Sequence, residues 1–474
     1  MRVFFIDPSD TYLGRRAAPS KVAPLLGMAQ VAAFARSQGH DVRVYDAMIE
    51  SEVGPELRTA LLDFEPDVVG LTATTPFIPV CFETARRVRH WLPEARIVLG
   101  GCHASAVPDA CFRECACLDY VVVGEGELSF SHLLEALDGR PGPKGCTVSG
   151  IAGVLGRHEP AAAVQARPLQ RCLDQLPTPD WSMYRYDAYQ RIYSRRLGCN
   201  ERLFQVLLSR GCPSRCSFCY RPFGASYRVR SSTSVRDEME QAFHLHRARL
   251  FDFLDPTMTY RARRFQEFCR VLRESPWCSD IAWTFETRPD SIDEDLLGAA
   301  QAAGCESLLL GVESGSQTIL DAMGKGTTVD QNLAAIRAAA RVGLHVRATL
   351  IVGHPYESTE TLRETVRFVR RAKKTGSVEF LPAFLGVYPG TRVYGMVERG
   401  EGGARWAPGV RGNWQRARRD QPMIEVGALD TAALLARMQA LQSLVRDETS
   451  TTCPPSSSAR PSHVPGPDPA PNTT

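Results

Sequence analysis

Residues 203–220 read Leu-Phe-Gln-Val-Leu-Leu-Ser-Arg-Gly-Cys-Pro-Ser-Arg-Cys-Ser-Phe-Cys-Tyr. The apolar run Leu203–Leu208 has the length and composition of a buried strand. It gives way at Gly211 to three cysteines, Cys212, Cys216 and Cys219, in a C-x3-C-x2-C array. A tight loop at the carboxyl end of a strand is where α/β barrels and open α/β sheets place their chemistry. Three thiolates on one short loop can converge on one soft metal centre. A four-iron cluster normally takes four protein thiolates, so three leave one iron open to a small molecule. Zinc is the competing reading, but it calls for a fourth Cys or His at ligand spacing, and none lies close by.

Downstream of the loop, strand and helix alternate over residues 201–395. Apolar runs at Leu250–Leu254, Ile281–Phe285, Ser307–Leu310, His345–Val352 and Val378–Phe384 follow the first strand. Helical periodicity falls between them, at Val235–His246, Arg261–Arg273, Ser291–Ala303 (with a capping box at Ser291 and Glu294), Thr328–Arg341 and Glu360–Thr375. Six such units predict a partial (β/α)6 barrel, because parallel neighbours need right-handed helical crossovers. Polar residues end these strands on one rim: the cysteine loop, Asp255, Glu286 with Arg288, Glu313, and Gly353 with Glu357. Arg347 lies inside its strand, with its direction open.

Upstream, residues 1–140 alternate in the same way, with short apolar strands near Val3, Val42, Asp67, Arg96 and Tyr120. This pattern predicts a doubly wound, Rossmann-like parallel sheet. Three of its strand ends are small or polar: Thr72-Ala-Thr74-Thr75, Gly100-Gly101-Cys-His103 and Gly124-Glu125-Gly126-Glu127. Glycines let a flat, bulky ligand approach the backbone. A dinucleotide is disfavoured, since no G-x-G-x-x-G follows the first strand. Residues 141–200 read as a Pro-rich connector, 396–446 as a substrate-covering region with a closing helix over Ala428–Val445, and 447–474 as a disordered Pro/Ser/Thr-rich tail. Trp406, Trp414 and the basic run Arg411–Arg419 suit either contact with an anionic substrate group or a solvated loop over the barrel.

Hydrophobic content of 44% and charged content of 23% over 474 residues are those of a globular protein. A net charge of +3 implies neither nucleic acid nor an acidic membrane surface as partner. No apolar run approaches a membrane span, and Asp7 ends the first apolar run too early for a signal segment; a cytoplasmic location is expected. Fifteen cysteines there are not a disulfide framework. Cys111, Cys115 and Cys117 are bunched, but at a spacing unlike a second cluster.

Cys212, Cys216 and Cys219 followed by Tyr220 resemble the cluster loop of the radical S-adenosylmethionine (SAM) superfamily. The resemblance implies a 4Fe–4S cluster whose open iron is chelated by SAM, and SAM cleavage to a 5′-deoxyadenosyl radical. It places Tyr220 at the adenine, Glu313 and Ser314 at the ribose and methionine, and Ile351 and Gly353 beside the adenine. Asp255-Pro256 departs from the Asp-Asp pair often seen there, and its role stays open. The first 140 residues resemble the cobalamin-binding domain that precedes many such cores. That implies cobalamin contacts from Thr72, Thr74, Thr75, Gly100, Gly101, His103, Gly124, Glu125, Gly126 and Glu127. The D-x-H-x-x-G motif is absent, so His103 is read as a turn histidine rather than a cobalt ligand; a cobalamin-free domain is the alternative.

The function implied is C-methylation of an unactivated carbon of a small, antibiotic-type natural-product intermediate. Methylcobalamin would be the donor, and a flavodoxin or ferredoxin the reductant. No protein nucleophile is required, and no catalytic residue is assigned. A radical SAM oxidase, dehydratase or rearrangement enzyme has the same build. A non-catalytic corrinoid or metal-binding module is the reading from another class, and the complete barrel with all three cysteines argues against it.

Overall fold

The computed structural model describes residues 1–8, 22–50, 55–139, 150–160, 162, 164–376, 378–416 and 420–446. The tail 447–474 and part of the connector, including Pro141–Gly145, lie outside these residues.

The chain builds two large sheets. The first contains β1 (Arg2–Asp7), β2 (Asp41–Asp46), β3 (Val68–Thr72), β4 (Arg96–Gly100) and β5 (Tyr120–Val122), with β6 (Val154–Gly156) as an antiparallel edge. The order is β2-β1-β3-β4-β5-β6. Its helices are α1 (Leu26–Ser37), α2 (Pro55–Phe64), α3 (Ile78–Trp91), α4 (Cys102–Ala106), α5 (Pro108–Glu114) and α6 (Gly126–Leu137). Side chains alternate across a strand, and β1 shows the result. Val3 and Phe5 join the core beneath α1 and α6. Phe4 and Ile6 join the core beneath α2 and α3. Both faces are covered, as the apolar runs predicted. The Gly124–Glu127 segment is only half a turn, because Gly126 and Glu127 already open α6. Neither α4 nor α5 was expected, since helices of five and seven residues carry almost no periodic signal.

A hairpin of β7 (Ile192–Ser194) and β8 (Cys199–Glu201) leads into the second sheet. That sheet holds β9 (Leu203–Val206), β12 (Leu250–Phe253), β13 (Ala282–Thr287), β14 (Cys305–Glu313), β15 (His345–Val352) and β16 (Val378–Phe384), all parallel and in sequence order. Between β9 and β12 a short antiparallel pair, β10 (Ser209–Arg210) and β11 (Arg228–Val229), brackets the cysteine loop. Helices α7 (Ser232–His246), α8 (Ala262–Arg273), α9 (Glu294–Ala302), α10 (Gln317–Met323), α11 (Val329–Arg341) and α12 (Thr359–Lys373) accompany these strands. This is the expected six-stranded partial barrel, with β9 and β16 as its free edges. Trp283 forms much of the core, its ring within 5.5–5.7 Å of Phe253, Phe268 and Phe285. One helix start differs from its expected capping box. α9 begins at Glu294 behind Asp293, whose carboxylate accepts from Leu296 N at 2.8 Å. Ser291 instead turns its hydroxyl to Arg288 O and Thr259.

The described part of the segment between the sheets is packed at its C-terminal end. Tyr186 stacks on Phe204 with ring centroids 4.0 Å apart, and Tyr189 donates its hydroxyl to Asp46 at 2.5 Å. Beyond β16 come α13 (Arg392–Glu398), the pair β17 (Ala404–Trp406) and β18 (Ile424–Val426), and α14 (Thr431–Arg446). Trp414 belongs to the first sheet's core and meets His103 edge-on at 6.0 Å. Trp406 Nε1 and Arg411 both bond Glu398, at 2.7 and 2.6 Å. Trp414 therefore ties the C-terminal segment to the first sheet, whereas Trp406 and Arg411 bond within that segment; Arg418 and Arg419 of the basic run lie outside the described residues. No described helix is long and apolar enough to cross a membrane.

Candidate cofactor site between the two sheets

The cysteine loop is held from several sides. Gly211 has φ +88°, and a Cβ there would run into the carbonyl of Ser226. Cys212 N closes the loop by donating to Gly224 O at 3.1 Å. Fully buried Asp255 accepts from Leu208 N at 3.0 Å, Ser209 N at 2.5 Å and the Ser209 hydroxyl. It ties off the end of β9, and burial raises its carboxyl to about 6 against the pull of those hydrogen bonds. Ser217 fastens the loop's middle: its N donates to Met323 O at 2.7 Å, and its O accepts from Val393 N at 2.8 Å. Its hydroxyl meets His354 Nε2 at 3.0 Å. His354 Nδ1 lies 2.7 Å from Pro355 O, and burial lowers this imidazole to about 4. The neutral ring thus carries its proton on Nδ1, and Nε2 accepts from Ser217.

Cys212, Cys216 and Cys219 border one cavity of about 240 Å³ at the barrel mouth. Burial, then the neighbouring Cys216 and Cys212, push the Cys219 thiol up to about 11. Cationic groups stand beside the three thiols: Arg288 Nη1 donates to Cys216 Sγ at 3.6 Å, and Lys325 also borders the cavity. Among the described residues no three potential ligands draw close enough to hold a single metal ion. The thiols instead surround a space, which fits a multi-iron cluster, whose ligand sulfurs are spread more widely than those of one zinc.

Glu313 faces this cavity from the end of β14 with φ +63°, past an irregularity in the pairing of β14 with β15. Its Oε1 is 2.9 Å from Lys325 Nζ, and its Oε2 accepts from Thr349 Oγ1 at 2.8 Å. Tyr220 also borders the cavity, its ring pressed so close to Gly390 that a Cβ there would lie 2.8 Å away. The other candidates sit behind the wall. Ser314 turns its hydroxyl to Thr365 at 3.2 Å, and Ile351 packs against the first sheet's core. Gly353 N donates to Glu357 at 2.5 Å. Lys325, Thr349 and Thr257 are lining residues that the sequence reading missed. For Lys325 there was a signal, a lone cation between two glycines, Gly324 and Gly326.

A second, largely apolar cleft of about 530 Å³ opens over the carboxyl ends of the first sheet. Thr72, Thr74, Gly100, Gly101, Gly124 and Gly126 line it on one side, and Gln205, Leu207 and Leu254 of the barrel on the other. Gly101 has φ +94°, and a Cβ there would lie 2.6 Å from Thr72 Oγ1. The floor suits a broad, flat ligand such as a corrin. Two candidates turn away from it. Thr75 Oγ1 meets His103 Nδ1 at 3.1 Å, and His103 is buried among helix residues with its pKa lowered to about 4 by desolvation. His103 stands at the start of α4, where its ring meets the Thr75 side chain rather than capping backbone groups. Glu125 and Glu127 border the cleft, but their carboxylates are taken up by Arg228 and Arg210. Cys111 and Cys115 are fully buried in the apolar core, so they behave as small hydrophobes. Pro222 and Phe223 border both cavities and form the wall between them.

Residues 206–369 match the Radical SAM superfamily, and residues 16–134 match the B12 binding domain. The chain is 30% identical over 380 residues to an uncharacterized methyltransferase of Pyrococcus horikoshii, covering 78% of each protein. It is 33% identical over 377 residues to the anaerobic magnesium-protoporphyrin IX monomethyl ester cyclase of Rubrivivax gelatinosus, covering 78% of this chain and 66% of that one. The fold is that of the cobalamin-dependent S-adenosylmethionine radical enzyme OxsB in its aqua-cobalamin structure, with TM-score 0.73 at 19% identity, covering 93% of this chain and 66% of that one. With both domains matched in order and a relative aligned over most of its length, the chain belongs to the cobalamin-dependent radical SAM methyltransferase family, whose cofactors are a 4Fe–4S cluster, SAM and cobalamin.

Proposed function

We propose that this enzyme methylates an unactivated carbon of a small natural-product intermediate of the antibiotic type. One observation carries the reading: the thiol-bordered cavity and the glycine-floored cleft share the wall Pro222–Phe223. A small molecule lodged at that wall would meet both cofactors. When bound, the cluster with SAM supplies a hydrogen-abstracting radical, and cobalamin supplies the methyl group.

The chain's own work is binding, placement and exclusion of water. Cys212, Cys216 and Cys219 would hold the cluster, as thiolates beside Arg288 and Lys325. Glu313, fixed by Lys325 and Thr349, would offer its carboxylate to the polar end of SAM, and Tyr220 would border the same ligand. Thr72, Thr74, Gly100, Gly101, Gly124 and Gly126 would cradle cobalamin. Leu207, Leu254 and Phe223 keep the space between apolar. An external low-potential electron carrier completes the system.

Anaerobic reconstitution with iron, sulfide, hydroxocobalamin, SAM and dithionite tests this. Release of 5′-deoxyadenosine and retention of the corrinoid spectrum are expected. No 5′-deoxyadenosine from a fully loaded enzyme would sink the radical reading. The identity to the cyclase supports a second reading, ring formation on the same scaffold. With the natural substrate, methyl-deuterated SAM separates the two: methylation carries the label into product, and cyclisation does not.

A further inference from the structure

The cysteine loop begins and ends on an arginine, and both arginines cross to the first sheet. Arg210, two residues before Cys212, places Nη2 2.6 Å from Glu127 Oε1 and Nη1 3.6 Å from Glu125 Oε2. Arg228, its antiparallel partner across the loop's neck, holds Glu125 with both terminal nitrogens, at 2.5 and 3.0 Å. All four side chains are less than one-tenth exposed. The contacts continue into the wall between the cavities. Arg228 Nη2 donates to Phe223 O at 3.2 Å, and its Nη1 donates to Gln170 O at 2.8 Å in the connector. The Arg210 guanidinium lies 5.1 Å from the centre of the Phe223 ring. Phe223 is thus gripped through its backbone by one arginine and through its ring by the other.

We propose that Arg210 and Arg228 act as positioning residues: through Glu125, Glu127 and Phe223 they set the separation between the cluster loop and the cobalamin cleft. A bidentate arginine–carboxylate pair fixes direction as well as distance. A buried pair is a better device for registry than for net stability. Both carboxylates stand at the start of α6, directly after the Gly124 turn that floors the cleft. Movement of either cofactor bed is therefore passed to the other through buried, paired charges.

The inference rests on the two-cofactor reading, so its test must fail separately from that reading. Arg228 borders neither cavity, which makes Arg228→Gln and the milder Arg228→Lys suitable probes. Holoenzyme reconstituted with iron, sulfide and hydroxocobalamin is reduced with dithionite and examined by electron paramagnetic resonance. In the wild type, the nearby reduced cluster should broaden the cob(II)alamin signal. In Arg228→Gln, iron and corrinoid contents should stay at the wild-type level while that broadening is lost. Arg228→Lys, which keeps one bond to Glu125, should retain part of it. If Arg228→Gln fails to hold its cofactors, Arg228→Lys carries the test. Unchanged broadening in a fully loaded variant overturns the clasp alone. A wild type that binds no cobalamin overturns the functional reading, and the clasp with it.

Discussion

The cleft over the first sheet and the cavity at the barrel mouth both lie at carboxyl ends of parallel strands, yet they are built from different material. The cleft is wide and floored by glycine and threonine. The cavity has less than half that volume and is ringed by thiols, Arg288, Lys325, Glu286 and Glu313. One recognises by shape, through backbone close to the ligand. The other recognises by charge and by soft donor atoms. The difference follows from the cofactors each would hold: a large neutral-faced macrocycle in one, and a metal cluster with a zwitterionic ligand in the other. It also means that substitutions should act differently in the two places.

The sharpest break is expected at the thiols. Cys216→Ala should abolish 5′-deoxyadenosine formation outright while the corrinoid spectrum persists, and loss of both would show that the sites are not separable. Next comes the buried pair of Lys325 and Glu313, only 5% and 8% exposed. Removing one partner of such a pair costs roughly 3–5 kcal/mol. Lys325→Met should therefore lower folding stability by roughly that amount and, by leaving Glu313 unanchored, weaken SAM binding; an unchanged dissociation constant in anaerobic equilibrium dialysis would refute this role. The cleft should respond to volume rather than charge. Gly101→Ala forces an L-residue to φ +94° against Thr72, a strain of roughly 1–3 kcal/mol. Corrinoid retention should fall by about 10-fold with SAM cleavage largely kept, and equal loss of both would erase the distinction drawn here.

The smallest effect concerns pH. Burial raises Glu357 from 4.5 to about 7. Between those values the folded state keeps a proton that the unfolded chain has released. Stability contributed by this group is thus present at low pH and lost as pH rises through the window. Urea unfolding should show the wild type weaker at pH 8 than at pH 5 by roughly 1–3 kcal/mol, with the slope flattened in Glu357→Gln. A variant that keeps the full slope would assign it to other buried carboxyls such as Asp255.

Sequence revealed the two regions unequally, for the same reason. Cys212, Cys216 and Cys219 stand on one loop, so local spacing displays them. The strands were legible from apolar runs, and Glu313 from its place at the end of β14. Thr349 reaches Glu313 from β15, the strand paired with β14, and Lys325 from just past α10, so neither partner shows as a local spacing. The cleft was marked by glycines, which show where a ligand can approach but not which polar neighbour turns inward. Thr74 and Thr75 are adjacent, yet one faces the cleft and the other bonds His103. The roles of Glu125 and Glu127 depend on Arg210 and Arg228, distant in sequence and invisible to any local pattern. Trp414 stayed ambiguous for the opposite reason: an aromatic among arginines suits a ligand contact or a covering loop, and its packing partners lie about 300 residues earlier.

That last contact bears on how the molecule comes into being. Val393, Met396, Val410, Trp414 and Ile424 complete an apolar core begun by Phe4, Ile6, Leu71 and Phe82. A ribosome makes the first group long after the second. The nascent first sheet must wait, with one oily flank uncovered, while the whole barrel is synthesised. Folding in the order of synthesis, the usual order for long chains, leaves this core unfinished until residues 393–424 are made. Its last structured segments are the stitches that finish its first.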